Sequence, residues 1–459
     1  MKILLPLLLL ASTFSLVAHS LVAQELTDPR KQEIVFRNVN VIPMDKEQVL
    51  TNQVVIVKDG RITLIGDARM VKYGAGALVI DGTGKYLMPG LAEMHAHVPP
   101  IDDIEPMKEV VMLFALKGVT TIRGMLGHPR HLELRSKLLS GEIIGPRLYT
   151  SGPSINGQTA NTEATAIKMV RDQKAAGYDF LKLHPGLTVP NFNAIVQTAK
   201  EVNIPFAGHV SFQVGVWRAI DAGYASIDHM DGFVESLVPG IENMTEQQTG
   251  LFATFIGHQA DTSRIPALVK GLRDHHIWVV PTQALAERWI SPDNTPEALS
   301  QEPEMKYMSP NTLTNWVNTK KNLQGNPQYK PSEVRQFVEL RRKLIYACQK
   351  NGVGLLLGSD APQIFDVPGF SLHHELQYLV NAGLTPYEAL RTGTVNPAIF
   401  LKREDAGLIR IGAVADLVLL NSNPLTNIGA TQDIEGVCLA GRWLNKTYIQ
   451  QGLKKLEKK

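Results

Sequence analysis

Six residues in this chain have the types and placement to hold a metal ion. His95 and His97 flank one small residue in Gly90-Leu91-Ala92-Glu93-Met94-His95-Ala96-His97. That run reads as a strand, and alternate side chains of a strand share a face, so the two imidazoles point the same way. Two imidazoles on one face can grip one transition metal. Alone, the pair equally describes two polar residues near a strand end. Four more residues answer the search for further ligands. Lys182 lies in Phe180-Leu181-Lys182-Leu183-His184, His209 ends Phe206-Ala207-Gly208-His209, His229 ends Ser226-Ile227-Asp228-His229, and Asp360 ends Leu357-Gly358-Ser359-Asp360. Each falls at the end of its own short apolar run.

Those runs imply the scaffold. Strand-like segments at 91–97, 119–123, 147–151, 180–184, 205–210, 226–229, 277–281 and 354–360 alternate with helical patterns at 105–117, 131–140, 163–176, 190–202, 214–222 and 334–350. Alternation of this kind makes βα units on a parallel sheet. Eight repeats favour a closed (β/α)8 TIM-like barrel, whose chemistry sits at the carboxyl ends of its strands. The fold class is therefore α/β, with the barrel over residues 89–406. Segments 231–276 and 284–332 are longer than a barrel needs. The first has a helix start at Asn243-Met244-Thr245-Glu246; the second, with Trp289, Tyr307, Trp316 and Tyr329, is either a lid or substrate wall or a surface excursion without a role.

Short strands also occupy 33–89, with Asp59-Gly60 as a hairpin signal. They return in character at 408–411, 416–420, 436–439 and 442–443. Residues 24–88 and 407–450 are expected to form one small β-sandwich domain built from both chain ends.

Composition narrows the partners. The 459 residues are 44% hydrophobic, and 46 basic side chains oppose 44 acidic ones, a net charge of +2 without a long like-charge block. Nucleic acid is not an expected partner. Residues 1–23 open with Met-Lys and an apolar stretch from Ile3 to Leu10, the pattern of a signal peptide cleaved after Ser20 or Ala23. The protein is then secreted or periplasmic, and no later apolar run reaches the roughly 18–20 residues that span a bilayer. Cys348 and Cys438, the two cysteines, read as buried free thiols.

The ordered set His-x-His, Lys, His, His, Asp resembles the amidohydrolase superfamily. So does the tail Gly412-Ala413-Val414-Ala415-Asp416-Leu417-Val418-Leu419-Leu420 with Asn423-Pro424-Leu425. Thr120-Thr121-Ile122-Arg123, Ser226-Ile227-Asp228-His229 and Gly358-Ser359-Asp360-Ala361 are similar to the imidazolonepropionase-related branch, with its prolidase-like dipeptidases and ochratoxinase-like amidases. The resemblance implies two divalent metal ions and a carboxylated Lys182 that bridges them. A free ammonium has no lone pair and cannot ligate. His95, His97 and Asp360 are implied to hold the first ion, and His209 and His229 the second. A metal-bridged hydroxide then attacks a carbonyl, with Asp360 as the catalytic proton carrier. Zinc suits the histidine-rich set; manganese and cobalt fit as well.

The implied function is a metal-dependent hydrolase of amide or peptide-like C–N bonds, on a small-molecule substrate of the dipeptide or N-acyl amino acid class. A mononuclear cyclic-amide hydrolase or deaminase, with Lys182 structural, is one alternative. A non-enzymatic binding protein on the same scaffold is another. Three residues are substrate-binding candidates. Arg123 could hold a carboxylate or brace loops, Tyr149 could line the pocket or pack, and His184 shares the face of Lys182. Asp228 is expected to face away from His229. Glu93 stands where many relatives carry Asp, and is expected to share the face of His95 and His97. His258, His275, His276, His373 and His374 are expected on the surface or on helix faces. A homo-oligomer is compatible with the sequence.

Overall fold

The computed structural model describes residues 32–458, so the leader expected at 1–23 lies outside the described residues. Five strands come first: β1 (Ile34–Val41), β2 (Leu50–Lys58), β3 (Arg61–Asp67), β4 (Leu78–Asp81) and β5 (Tyr86–Pro89). Seven follow in alternation with helices: β6 (Leu91–Ala96), β7 (Val119–Gly124), β8 (Arg147–Thr150), β9 (Leu181–Leu183), β10 (Phe206–Gly208), β11 (Ser226–Asp228) and β12 (Trp278–Val280). Three close the chain: β13 (Leu417–Leu420), β14 (Ile434–Leu439) and β15 (Arg442–Asn445).

The two chain ends share one eight-stranded sheet, in the order β15-β14-β13-β5-β1-β2-β3, with β4 paired to β1. Asp59 and Gly60 turn the β2–β3 hairpin at φ 50° and 73°. This is the positive-φ geometry that a two-residue hairpin matched to strand twist requires. Phe36 meets Trp443 edge-on, with ring centroids 5.3 Å apart, above a core that includes Val39, Leu87 and Cys438. Cys438 and Cys348 are buried free thiols. Phe36→Ala is expected to lower stability by about 3–5 kcal/mol, because a fully buried aromatic leaves a cavity that β-strands collapse poorly around; urea unfolding measures it.

The middle strands are parallel. Regular pairing runs through β6-β7-β8 and through β12-β11-β10-β9. Isolated parallel bridges extend both sheets, Ser151 to Phe180 and Val279 to Leu355. Residues 355–361 lie alongside β6. Met94 N donates to Leu357 O at 2.8 Å, His97 N to Ala361 O at 2.8 Å, and Asp360 N to His95 O at 3.0 Å. The eighth expected strand is thus an extended segment held by single bonds, and its regularity ends where Asp360 turns to φ 67°. All of β6 is buried, as are β9, β10 and β11, so the polar residues these strands carry, Glu93, His95, Lys182, Ser226 and Asp228, are buried with them.

Helices Ile104–Leu116, Glu163–Ala176 and Pro331–Lys350 pack outside these strands. The first starts on Asp103, whose carboxylate accepts Glu105 N; the second on the Thr162–Thr165 capping box. No helix among the described residues is long and apolar enough to cross a membrane.

The two long insertions differ. In 231–276 a Thr245–Gln248 capping box opens the helix Glu246–Thr249. Segment 284–332 folds onto itself. Lys320 is buried and donates to the carbonyls of Arg288 at 2.7 Å and Ser291 at 2.8 Å, while Tyr329 donates to Ile290 O at 2.8 Å. Tyr307 and Trp316 join Phe365 and Val367 in one apolar cluster, so this insertion supports the loop that follows Asp360.

Candidate metal centre

The six sequence-selected residues come from five separate strand ends, with His95 and His97 sharing one, and they converge. Asp360 Oδ1 is 2.6 Å from His97 Nε2 and 3.2 Å from His95 Nε2. Lys182 Nζ is 3.4 Å from the same His95 Nε2. The ring of His229 lies 4.4 Å from that of His95 and 4.4 Å from that of His209. Ligand atoms of His95, His229 and Asp360 all fall within 4.8 Å of one another.

Backbone strain aims several of these groups. His229, Met230 and Asp360 sit at φ 61°, 60° and 67°. Non-glycine residues enter this left-handed region at a cost of about 1–3 kcal/mol, and persist there where the surrounding structure holds them. Arg341, on helix Pro331–Lys350, holds two of the strand ends in place. It is fully buried and donates to His229 O at 2.7 Å and Pro281 O at 2.6 Å.

Each deep imidazole has its second nitrogen engaged or faced by a neighbour. His229 Nδ1 meets Thr282 Oγ1 at 2.9 Å, and His209 Nδ1 meets Asp231 Oδ2 at 2.7 Å. His95 Nδ1 lies 2.9 Å from Asp228 Oδ2, a close polar contact outside the angular range of a hydrogen bond. Partners of this kind fix the ring orientation and raise the basicity of the other nitrogen. Burial drives the pKa of His95 and of His229 well below the usual histidine range, and the nearby Lys182 adds to it. Both rings are therefore neutral at neutral pH, with a lone pair free. Burial also pushes the Lys182 pKa down, against the pull of Asp228 and Asp360.

The residues fit a divalent metal. Asp360 Oδ1 is buried and has no hydrogen-bond partner, although two imidazole nitrogens face it. Imidazole nitrogens around a buried, unpartnered carboxylate oxygen form the donor set of a first-row divalent ion. Lys182 fits only when its nitrogen carries an anionic oxygen group, since an ammonium would repel a cation.

Several sequence expectations need correction. Asp228 does not face away from the histidines. Strand alternation stops at β11, where His229 enters the left-handed region, so both residues turn inward. Asp228 accepts from Arg123 Nη2 at 3.2 Å and lies 3.7 Å from Lys182 Nζ. Glu93 does not join the cluster. Its longer arm reaches the eighth segment, accepting from Ser359 N at 2.8 Å, Ser359 Oγ at 2.5 Å and His95 N at 3.0 Å. Burial raises its carboxyl to about 8 even so. His373 lies on a helix face as expected, on Ser371–Asn381, but the face is a buried one, with Nδ1 on Thr431 Oγ1 at 2.9 Å and Nε2 on Lys117 O at 3.1 Å. His374 pairs with Glu304 at 2.8 Å.

The three substrate candidates separate. His184 stays with the cluster, its ring 5.3 Å from that of His209 and its Nδ1 on Ser154 Oγ at 2.9 Å. Arg123 is committed to Asp228, to Ser226 Oγ at 3.0 Å and to Met94 O at 2.7 Å, which is its bracing role. Tyr149 accepts from Arg403 Nη1 at 3.3 Å and lines a cavity with Asp416, and is not brought to the histidines. Phe252, which the sequence did not mark, is. Its ring stacks on His229 at 5.3 Å and 25°, from the 231–276 insertion, with φ 52°.

Asp228→Asn keeps the shape but removes the charge beside His95. Metal affinity is expected to fall about 10–100-fold, the usual effect of losing a partner behind a ligand. Competition with a chelator, on protein of unchanged circular dichroism, measures it.

The amidohydrolase family model matches residues 86–444. The chain is 24% identical over 437 residues to ochratoxinase from Aspergillus niger, covering 90% of this chain and 85% of that protein. Among solved structures it is similar to bottromycin amidohydrolase, with TM-score 0.69 and 21% identity over 94% of this chain and 91% of that one. It is also similar to a Xaa-Pro dipeptidase with bound methionine, with TM-score 0.64 and 18% identity over 90% of this chain and 100% of that one. These structural likenesses speak to the fold.

Proposed function

This chain belongs to the amidohydrolase family, and from that premise we propose that it hydrolyses amide C–N bonds of dipeptides or N-acyl amino acids with two divalent ions. The observation that carries the reading is the bare, buried Asp360 Oδ1 faced by His95 and His97. In this reading His95, His97 and Asp360 would hold one ion and His209 and His229 the other, and Lys182 would contribute as its carbamate. Bound there, the ions supply a Lewis acid for the carbonyl and water of lowered pKa.

The chain's own residues do the rest. Asp360 accepts the proton of the attacking water and returns it to the leaving nitrogen. His95 and His229, held neutral, keep their lone pairs for binding. Arg123 and Asp228 keep the His95 ring in position. His184, beside His209, is in reach of a bound substrate. The named relatives, an ochratoxinase, a Xaa-Pro dipeptidase and a bottromycin amidohydrolase, support an amide or dipeptide substrate.

The scaffold in this proposal is a closed (β/α)8 barrel over 89–406, with the two parallel sheets joined through 151–180 and 279–355 and sealed by the bonds between 355–361 and β6. In the same proposal, residues 32–88 and 407–450 make up the small β domain beside it. A leader at 1–23 directs export, which N-terminal sequencing of the secreted protein tests.

One observation favours a second reading. Lys182 Nζ lies 3.7 Å from Asp228, so it can serve as a buried ion-pair partner in a mononuclear enzyme. The experiment is an activity screen of metal-loaded protein against dipeptides and N-acyl amino acids, with lactones and cyclic ureas beside them. Amide hydrolysis is expected to vanish on dialysis against a chelator and return with zinc, manganese or cobalt. Activity confined to lactones or cyclic ureas would overturn the reading, and one metal equivalent per chain would select the mononuclear one.

A further inference from the structure

A second cavity lies away from the metal centre. It has a volume of about 370 Å³ and sits between helix Pro129–Ser140, the first three residues of β8 and the β14–β15 turn. Leu138, Ile143, Leu148 and Leu439 give it apolar walls. Its charges are uneven. Three arginines line it, Arg135, Arg147 and Arg442, against two aspartates, Asp179 and Asp416.

Arg135 is already matched. It donates to Asp179 Oδ2 at 2.8 Å and to Gly177 O at 3.1 Å. Arg147 and Arg442 form no ion pair with any described residue, and Arg147 Nε is buried without a hydrogen-bond partner. Asp416 does not take up either guanidinium; its Oδ1 accepts from Ala440 N at 2.8 Å. Burial raises the Asp416 carboxyl, with Ala440 N–H and Arg147 countering only in part. The cavity thus holds one positive charge more than its carboxylates balance.

A buried guanidinium nitrogen without a partner is rare in folded proteins and calls for an explanation. Planar guanidinium donors match a carboxylate in a two-pronged fashion. Apolar walls of this extent match a hydrocarbon body, and the volume lies in the range of small-molecule pockets. We propose that this cavity binds a small amphipathic monoanion, a carboxylate with an apolar chain, whose head meets Arg147 and Arg442 and whose chain lies on Leu138 and Leu439. It is separate from the metal centre and joins β8 to the terminal sheet.

Decanoate is the probe, titrated calorimetrically into the metal-loaded full chain. One saturable equivalent is expected. Arg147→Gln and Arg442→Gln should each weaken it at least ten-fold. Leu139→Asp, at an exposed rim residue whose change leaves the core untouched, should weaken it as well. Decanol and inorganic phosphate should each bind far more weakly than decanoate. The proposal is overturned if binding is not saturable, or if all three variants bind as the parent does. It is equally overturned if phosphate binds as tightly as decanoate, or if His97→Ala abolishes the heat, which would put the anion at the metal centre.

Discussion

Lys182→Ala is expected to lower kcat/KM by at least about 10³-fold, and to cut bound metal from two equivalents to one or fewer. The size follows from position. Lys182 is fully buried and lies 3.4 Å from His95 Nε2, inside the cluster of histidines. Losing an outer partner costs about 10–100-fold; losing a bridge between two ions should cost more. The fold should survive, because Asp228 keeps Arg123 as its main partner. Elemental analysis of the purified variant is the check. Unchanged metal content together with an unchanged rate would sink the two-metal reading and leave Lys182 as an ion-pair partner.

Asp360→Asn is expected to reduce kcat by roughly 10²–10⁴-fold, the range of a positioned general base, with KM altered far less. Asparagine is the informative substitution here. Asp360 sits at φ 67°, and asparagine tolerates the left-handed region where most residues are strained. Its amide keeps the shape but cannot carry the proton. Steady-state kinetics on an amide with a poor leaving group should show the largest loss, and activated esters, whose leaving group needs no proton, a smaller one. An equal loss on both would assign Asp360 to metal binding alone.

Much of this was readable in the sequence because strands have a period of two. That rule put His95 and His97 on one face, and the βα repeats pointed to the strand ends that carry Lys182, His209, His229 and Asp360. It failed where the backbone leaves the strand conformation. His229 at φ 61° turns Asp228 inward, and nothing in Ser226-Ile227-Asp228-His229 announces the flip. Glu93 follows the period but its arm is long enough to reach Ser359. The groups behind the rings, Asp231, Thr282 and Arg341, arrive from loops and a distant helix, and no local pattern marks them. Phe252 belongs to the same class: a strained turn in an insertion brings it to His229. Asp231 alone had a faint signal, two residues past a ligand. The eighth strand was legible as an apolar run, but its pairing is too sparse to make a regular ladder.

The sheet shared by the two chain ends has a consequence for biogenesis. Met88 pairs with Val418, and Tyr86 with Leu420, so β5 has no neighbour on that side until nearly the whole polypeptide has been synthesised. During that interval an apolar strand edge stays open to other chains. Pairings this distant in sequence also form slowly, because the intervening segment must first become compact. The middle of the chain therefore has to collapse before its ends can be stitched together. Polypeptides that stop short of Leu417 should accumulate as aggregates, however complete their six ligands are.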